Sequence, residues 1–156
     1  MTMGHVETLE RNETKLVGYK ATASLNQVLE TSIVGKLREE LFGKRNEIAN
    51  LIDDKGIYLV QVYEEVEWTP DVPFTSIVAV EVSDFAHMQG EFVQHTIPAG
   101  KYVKVTHKGP ESQIGSTYDT IHTEGISGPR PFDFEYWADI HTLALEESTI
   151  AIYFPE

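Results

Sequence analysis

From Lys15 to Ser24 apolar and polar residues alternate between turn formers, the period-two signature of a strand. Ser24-Leu25-Asn26-Gln27 then reads as a capping box, with Ser at the cap and Gln three residues on. A 3.6-residue period follows in Val28, Leu29, Ile33, Val34, Leu37, Leu41, Ile48 and Leu51, which predicts a helix ending near Asp53-Asp54-Lys55-Gly56. Gly35 and Gly43 lie inside it and weaken it. Ile57–Tyr63 is rich in β-formers, and the connector Glu64–Pro73 leads to another such run, Thr75–Val82.

The same order recurs. Lys101–His107 reads as a strand closed by Lys108-Gly109-Pro110. A shorter helix carries Ile114, Tyr118 and Ile121 on one face and stops near Gly125. The loop Ser127–Pro131 feeds a strand over Phe132–Ile140, and Thr149–Phe154 is the last strand. An extra strand is expected around Glu91–Ile97.

Each half is thus strand–helix–strand–strand, and no linker separates them. The expected class is α+β: a single domain over 1–156, with duplicated βαββ modules at about 14–83 and 99–155 and a connecting strand at about 90–98. Pseudo-twofold symmetry would put both helices on one face of an antiparallel sheet and leave the other face concave and partly open. Superposing the halves lays Gln61 and Tyr63 over Glu135 and Trp137.

One strand carries the chemistry. In Phe132-Asp133-Phe134-Glu135-Tyr136-Trp137, the aromatics Phe132, Phe134 and Tyr136 point one way, and Asp133, Glu135 and Trp137 point the other. The second set places a carboxylate about 7 Å along the strand from an indole. A carboxylate beside aromatic walls suits a bulky organic cation, which needs a counter-charge and flat π faces together. A solvated sheet face with a partly exposed Trp is the plainer alternative.

Composition narrows the field. The chain has 156 residues, no cysteine and a formal charge of −13, from 12 basic against 25 acidic residues. Disulfide scaffolds, thiolate metal sites and a Cys nucleophile are excluded. The acidic surface repels phosphate backbones, so direct nucleic-acid binding is not expected, while cations are drawn towards any cleft. No apolar run approaches the roughly 20 residues of a membrane span, and Met1–Glu7 has no secretory pattern, so a soluble cytoplasmic protein is expected. The histidines His5, His87, His95, His107, His122 and His141 lack metal-ligand spacing, so no metal is expected. Phosphate loops and G-x-S-x-G are absent, and no cofactor is expected. Trp68–Phe74 is a proline-stiffened loop in which Trp68 would serve as a lid or pack on the sheet edge.

Ile97-Pro98-Ala99-Gly100-Lys101-Tyr102-Val103, His107-Lys108-Gly109-Pro110, Phe134-Glu135-Tyr136 and Ile150-Ala151-Ile152-Tyr153-Phe154-Pro155 together resemble the GyrI-like effector-binding domain, in family order. Leu16-Val17-Gly18-Tyr19 extends the likeness into the first half. Such domains occur fused to AraC-type and MerR-type regulators and on their own; this chain looks like the stand-alone type. The resemblance implies a pair of βαββ modules around a ligand cleft. It puts Glu135 at the cleft floor, pairing with cationic, often aromatic, drugs. Tyr63, Trp68, Tyr102 and Trp137 would be the aromatic walls, with Gln61 added by the duplication. The implied function is small-molecule binding. Two alternatives stay open: hydrolysis of cyclopropane-type toxins, with Glu135 as base and Tyr63 or Tyr102 as donor, and an acidic protein-interaction module of the gyrase-inhibitor type. A protein partner or a homodimer is compatible with all three.

Overall fold

The computed structural model describes residues 3–31, 33–48, 50–52, 56–63, 69, 71–85, 92–124, 131–138, 143 and 145–155. They form eight strands and three α-helices. The strands are β1 (Met3–Arg11), β2 (Thr14–Ala23), β3 (Ile57–Val62), β4 (Phe74–Val82), β5 (Val93–Ile97), β6 (Gly100–Lys108), β7 (Phe132–Trp137) and β8 (Thr149–Pro155). The helices are α1 (Leu25–Thr31), α2 (Ile33–Lys44) and α3 (Ile114–Thr123).

All eight strands join one antiparallel sheet in the order β1-β6-β8-β7-β3-β4-β2-β5. The order is symmetric about the β7–β3 pair. Outwards from it run β3-β4-β2-β5 on one side and β7-β8-β6-β1 on the other. The α+β class and the duplicated βαββ order are therefore both present. The repeat also has a leading strand: β1 precedes β2 but pairs with β6, and β5 precedes β6 but pairs with β2.

β1 was not expected from the sequence. The chain alternates poorly over Met3–Arg11, and Val6, one of its few apolar side chains, is exposed. Pairing with β6 along an edge, rather than burial, makes it a strand.

The capping box forms: Gln27 N–H donates to Ser24 Oγ at 3.2 Å, and Ser24 N–H donates to Gln27 Oε1 at 3.0 Å. The helical period overran the helix. α2 ends at Lys44, a 3-10 turn spans Arg45–Glu47, and Asn50 takes a left-handed φ of 63°. Ile48 and Leu51 still pack into the core although they are not helical. The apolar period reported burial, and the chain kept burying those positions after the helix stopped.

α2 and α3 lie on the same face. Leu41 of α2 packs with Val17, Leu59, Val78, Val80 and Trp137, and Ile121 of α3 packs with Val105, Ile152 and Phe154. The cross-strand partners Leu59↔Val78, Leu59↔Glu135 and Glu135↔Ile152 tie these residues to one side of the sheet.

The opposite face corrects the expectation of a partly open concavity. Leu16, Tyr58, Val60, Ile77, Ile97, Tyr102, Phe134 and Tyr153 fill it with a second buried core. The connectivity explains this. Two-residue links, Asn12-Glu13 and Pro98-Ala99, join strands that stand at opposite ends of the sheet. The sheet must curl until its ends approach, which closes the helix-free face on itself. Arg11, the last residue of β1, reaches into this core. Its guanidinium lies 4.7 Å from the ring centroid of Tyr153 and 5.2 Å from that of Phe134.

Candidate ligand-binding site

β7 runs beside the symmetry axis of the sheet, and its two faces serve the two cores. Phe134 belongs to the helix-free core, where it stacks on Tyr153 with centroids 4.7 Å apart. Asp133, Glu135 and Trp137 face the helices and are 0%, 4% and 0% exposed. The reading of this strand as a solvated face with a partly exposed Trp does not hold.

Glu135 is held by two neutral donors. Tyr118 O–H of α3 donates to Oε2 at 2.6 Å, and Trp137 Nε1–H donates to Oε1 at 3.0 Å. Among the described residues no Lys or Arg is paired with it. Burial pushes its carboxyl up to about 7. The two hydrogen bonds act in the opposite direction, and the negative charges of Asp133 and Glu111 add to the rise. Tyr118 is raised well above its ordinary value by burial, with Glu135, Asp133 and Tyr63 pushing the same way. Two carboxylates and two phenols thus share one buried polar region.

The second carboxylate is bound from the other repeat. Tyr63 O–H donates to Asp133 Oδ2 at 2.8 Å, and Gln61 Oε1 lies 3.3 Å from the same hydroxyl. The register sets this meeting, because Gln61 is the cross-strand partner of Asp133 and Tyr63 follows two residues later. Tyr63 N–H donates to Pro131 O at 2.9 Å, which continues the β3–β7 pairing past the end of β3.

Above Trp137 sits a cation of the chain itself. The Arg38 guanidinium of α2 lies 4.9 Å from the indole centroid, and its Nη1–H donates to Glu111 Oε2 at 2.6 Å. Glu111 lies in the 3-10 turn (Glu111–Gln113) that leads into α3. The pair therefore bridges the helical elements of the two repeats over the buried indole.

Of the residues expected at the site, Glu135, Trp137, Tyr63 and Gln61 come together on the helix-bearing face. Tyr102 lies on the other face, 2% exposed, with its hydroxyl donating to Pro98 O at 2.6 Å. It is separated from Glu135 by the sheet. Trp68 lies outside the described residues. Asp133 and Tyr118 were missed. Asp133 shares the alternation of Glu135, and Tyr118 carries a hydroxyl on an otherwise apolar helix face, which demands a buried partner.

Elsewhere, His107 is 3% exposed and locks the β6–α3 corner. Its Nε2–H donates to Pro110 O at 3.0 Å, and its Nδ1 is hydrogen-bonded to the Thr117 hydroxyl at 2.6 Å. A cleft of about 310 Å³ lies at that corner, lined by His107, Lys108, Gln113, Ser116 and Glu146 among others. No group of three or more metal-ligating side chains occurs among the described residues, and no described helix is long and apolar enough to cross a membrane.

Comparison with known proteins agrees with this architecture. The transcriptional regulator BrlR of Pseudomonas aeruginosa is 25% identical over 157 residues, covering 97% of this chain and 55% of BrlR. The chain therefore spans about half the length of that relative. Among solved structures, SAV2435 bound to tetraphenylphosphonium superposes with a TM-score of 0.72 at 18% identity, covering 97% of this chain and 93% of the other. The Vibrio cholerae integron cassette protein VCH_CASS2 gives 0.69 at 19% identity over 98% and 96%. The EcmrR C-terminal domain gives 0.66 at 18% over 99% and 98%. At these identities the structures establish a shared fold. The family model described as integron-associated effector binding protein matches residues 7–155, and the chain belongs to that family of GyrI-like effector-binding domains.

Proposed function

We propose that this domain binds a hydrophobic organic cation between the helices and the sheet, with Glu135 as its counter-charge. One observation carries the reading: Glu135 is a buried carboxylate held by neutral donors alone among the described residues. A carboxylate in that position is costly while ionised, and an arriving cation supplies the missing opposite charge. The bound state of SAV2435, with a bulky aromatic cation, supports the ligand class.

Binding of tetraphenylphosphonium to the wild type and to Glu135→Gln tests the proposal by calorimetry. Glu135→Gln is nearly isosteric and removes only the charge. Affinity at pH 8 should fall at least tenfold, and an unchanged affinity would reject the reading.

A hydrolytic reading draws on the same carboxyl. A carboxyl pushed to about 7 is suited to general acid–base work, with Tyr118 within hydrogen-bond reach. Glu135→Gln separates the two, because a hydrolase would keep its affinity for an uncharged substrate and lose turnover.

A further inference from the structure

The indole face that a ligand would stack on is already covered. Trp137 is fully buried, and part of what buries it is the guanidinium of Arg38 at 4.9 Å. That group is flat, delocalised and positively charged, which is the chemistry best matched to an indole face. It is not buried deeply itself: the Arg38 side chain keeps 19% exposure, and that of its partner Glu111 keeps 31%. The pair is partly exposed and covers Trp137, whose Nε1–H donates directly to Glu135.

We propose that Arg38 is a resident cation in the ligand's place, and that the site accepts a flat, delocalised cation by exchanging it for this guanidinium. The inference rests on the cation-binding reading above and makes it more specific. An incoming planar cation takes the indole face, and Arg38 swings into solvent. Glu111 is left beside the newcomer as a second negative charge, so the exchange keeps the local charge balanced. α2 and the turn before α3 also lose their bridge, which frees the two helical elements to part above Glu135.

A propeller-shaped cation such as tetraphenylphosphonium cannot lie flat on one indole. It gains less from the vacated face than a planar ring does. Arg38 therefore acts as a specificity determinant: a planar cation displaces it to reach the indole, whereas a propeller-shaped one gains too little from that face to displace it and meets Glu135 with Arg38 left in place.

Proflavine, a flat aromatic cation, and tetraphenylphosphonium serve as the two probes, each titrated at pH 8 into wild type, Arg38→Gln, Arg38→Lys and Glu135→Gln. A half-buried cation–π contact and a partly exposed ion pair are both modest, so releasing them should tighten proflavine binding about five- to thirtyfold in Arg38→Gln. The gain for tetraphenylphosphonium should be smaller, and Arg38→Lys should fall between wild type and Arg38→Gln, since an ammonium stacks less well. Circular dichroism melting identifies a variant that fails to fold, in which case Arg38→Lys alone decides. Proflavine affinity that is unchanged or weakened in a folded Arg38 variant would overturn the exchange, even where Glu135→Gln still abolishes binding. Equal gains for both probes would show that both displace Arg38 and would overturn its role in telling planar cations from others. If wild type and Arg38→Gln bind neither probe, the cation-binding reading falls with it.

Discussion

The hydroxyl of Tyr118 stands 2.6 Å from Glu135 Oε2 and ties α3 of the second repeat to the strand at the centre of the sheet. It is a charge-assisted bond whenever Glu135 is ionised, and such bonds are short and strong. It also lowers the Glu135 carboxyl against the larger effect of burial. Tyr118→Phe removes the donor and leaves the ring. At pH 8 the folded state should lose about 1.5–3 kcal/mol, the range for a hydrogen bond to a charged group. At pH 5, where Glu135 is protonated, the loss should be clearly smaller. Urea denaturation of the two proteins at both pH values measures it, and an equal loss at both would show that the bond carries no charge dependence.

Glu135 also makes a defined contribution to the pH dependence of stability. Its folded value of about 7 lies above the ordinary 4.5. Between those values the folded chain holds a proton that the unfolded chain has released. The group's contribution is therefore fully present below about pH 4.5, declines as pH rises to 7, and stays lost above that. The full span is on the order of 3 kcal/mol. Glu135→Gln, which cannot ionise, should remove this decline. Relative to wild type it should be more stable at pH 8 than at pH 5 by about that amount. The other acidic groups cancel in the comparison, so parallel stability curves would contradict the raised value.

The βαββ order was legible because its strands and helices differ in period, and Ser24 with Gln27 marked a helix start by chemistry alone. What stayed illegible depended on register. Alternation in Phe132–Trp137 sorted the side chains into two sets correctly, yet Asp133, Phe134, Glu135 and Trp137 are all buried, so the pattern could not say which set faces the helices. Tyr102 shows the same limit. Its distance from Glu135 follows from the pairing of Tyr102 with Pro155 and of Glu135 with Ile152, which puts them on opposite faces. Asp133 was placed on the face of Glu135 but not in the site, because its partner Tyr63 belongs to the other repeat, seventy residues away. The closed helix-free face followed from strand exchange, with β1 and β5 each pairing into the opposite repeat, and no local pattern encodes that.

Two glycines predict opposite outcomes for one substitution. A Cβ on Gly18 would stand 2.0 Å from Val78 O and 2.6 Å from Ala79 Cα, both backbone atoms of the neighbouring strand β4. Relief requires β2 to move off β4, which would break pairing along the whole strand. Gly18→Ala should cost about 3 kcal/mol or more, or prevent folding. Gly35, inside α2, has nothing within 4 Å of its Cβ position. Gly35→Ala should stabilise by roughly 0.5–1 kcal/mol, since Ala loses less backbone entropy in a helix. Thermal melts of the two variants beside wild type test both signs, and a neutral Gly18→Ala would mean that β2 and β4 are not packed as described.

Ligand binding should carry the signature of the same carboxyl. If a cation pairs with ionised Glu135, a protonated site must first release its proton. With a value of about 7, Glu135 is ionised in roughly a tenth of molecules at pH 6 and nine tenths at pH 8. Affinity for tetraphenylphosphonium should therefore rise about tenfold over that interval, as the competent fraction grows. Binding at pH 6 should release close to one proton, and at pH 8 close to none. Calorimetry at each pH in two buffers of different ionisation enthalpy counts those protons directly. Glu135→Gln should bind weakly, with an affinity that is flat in pH and with no proton release. A wild-type affinity that is equally flat would mean that the cation is met by another group, and the buried carboxyl would then be a structural acid held protonated under α3.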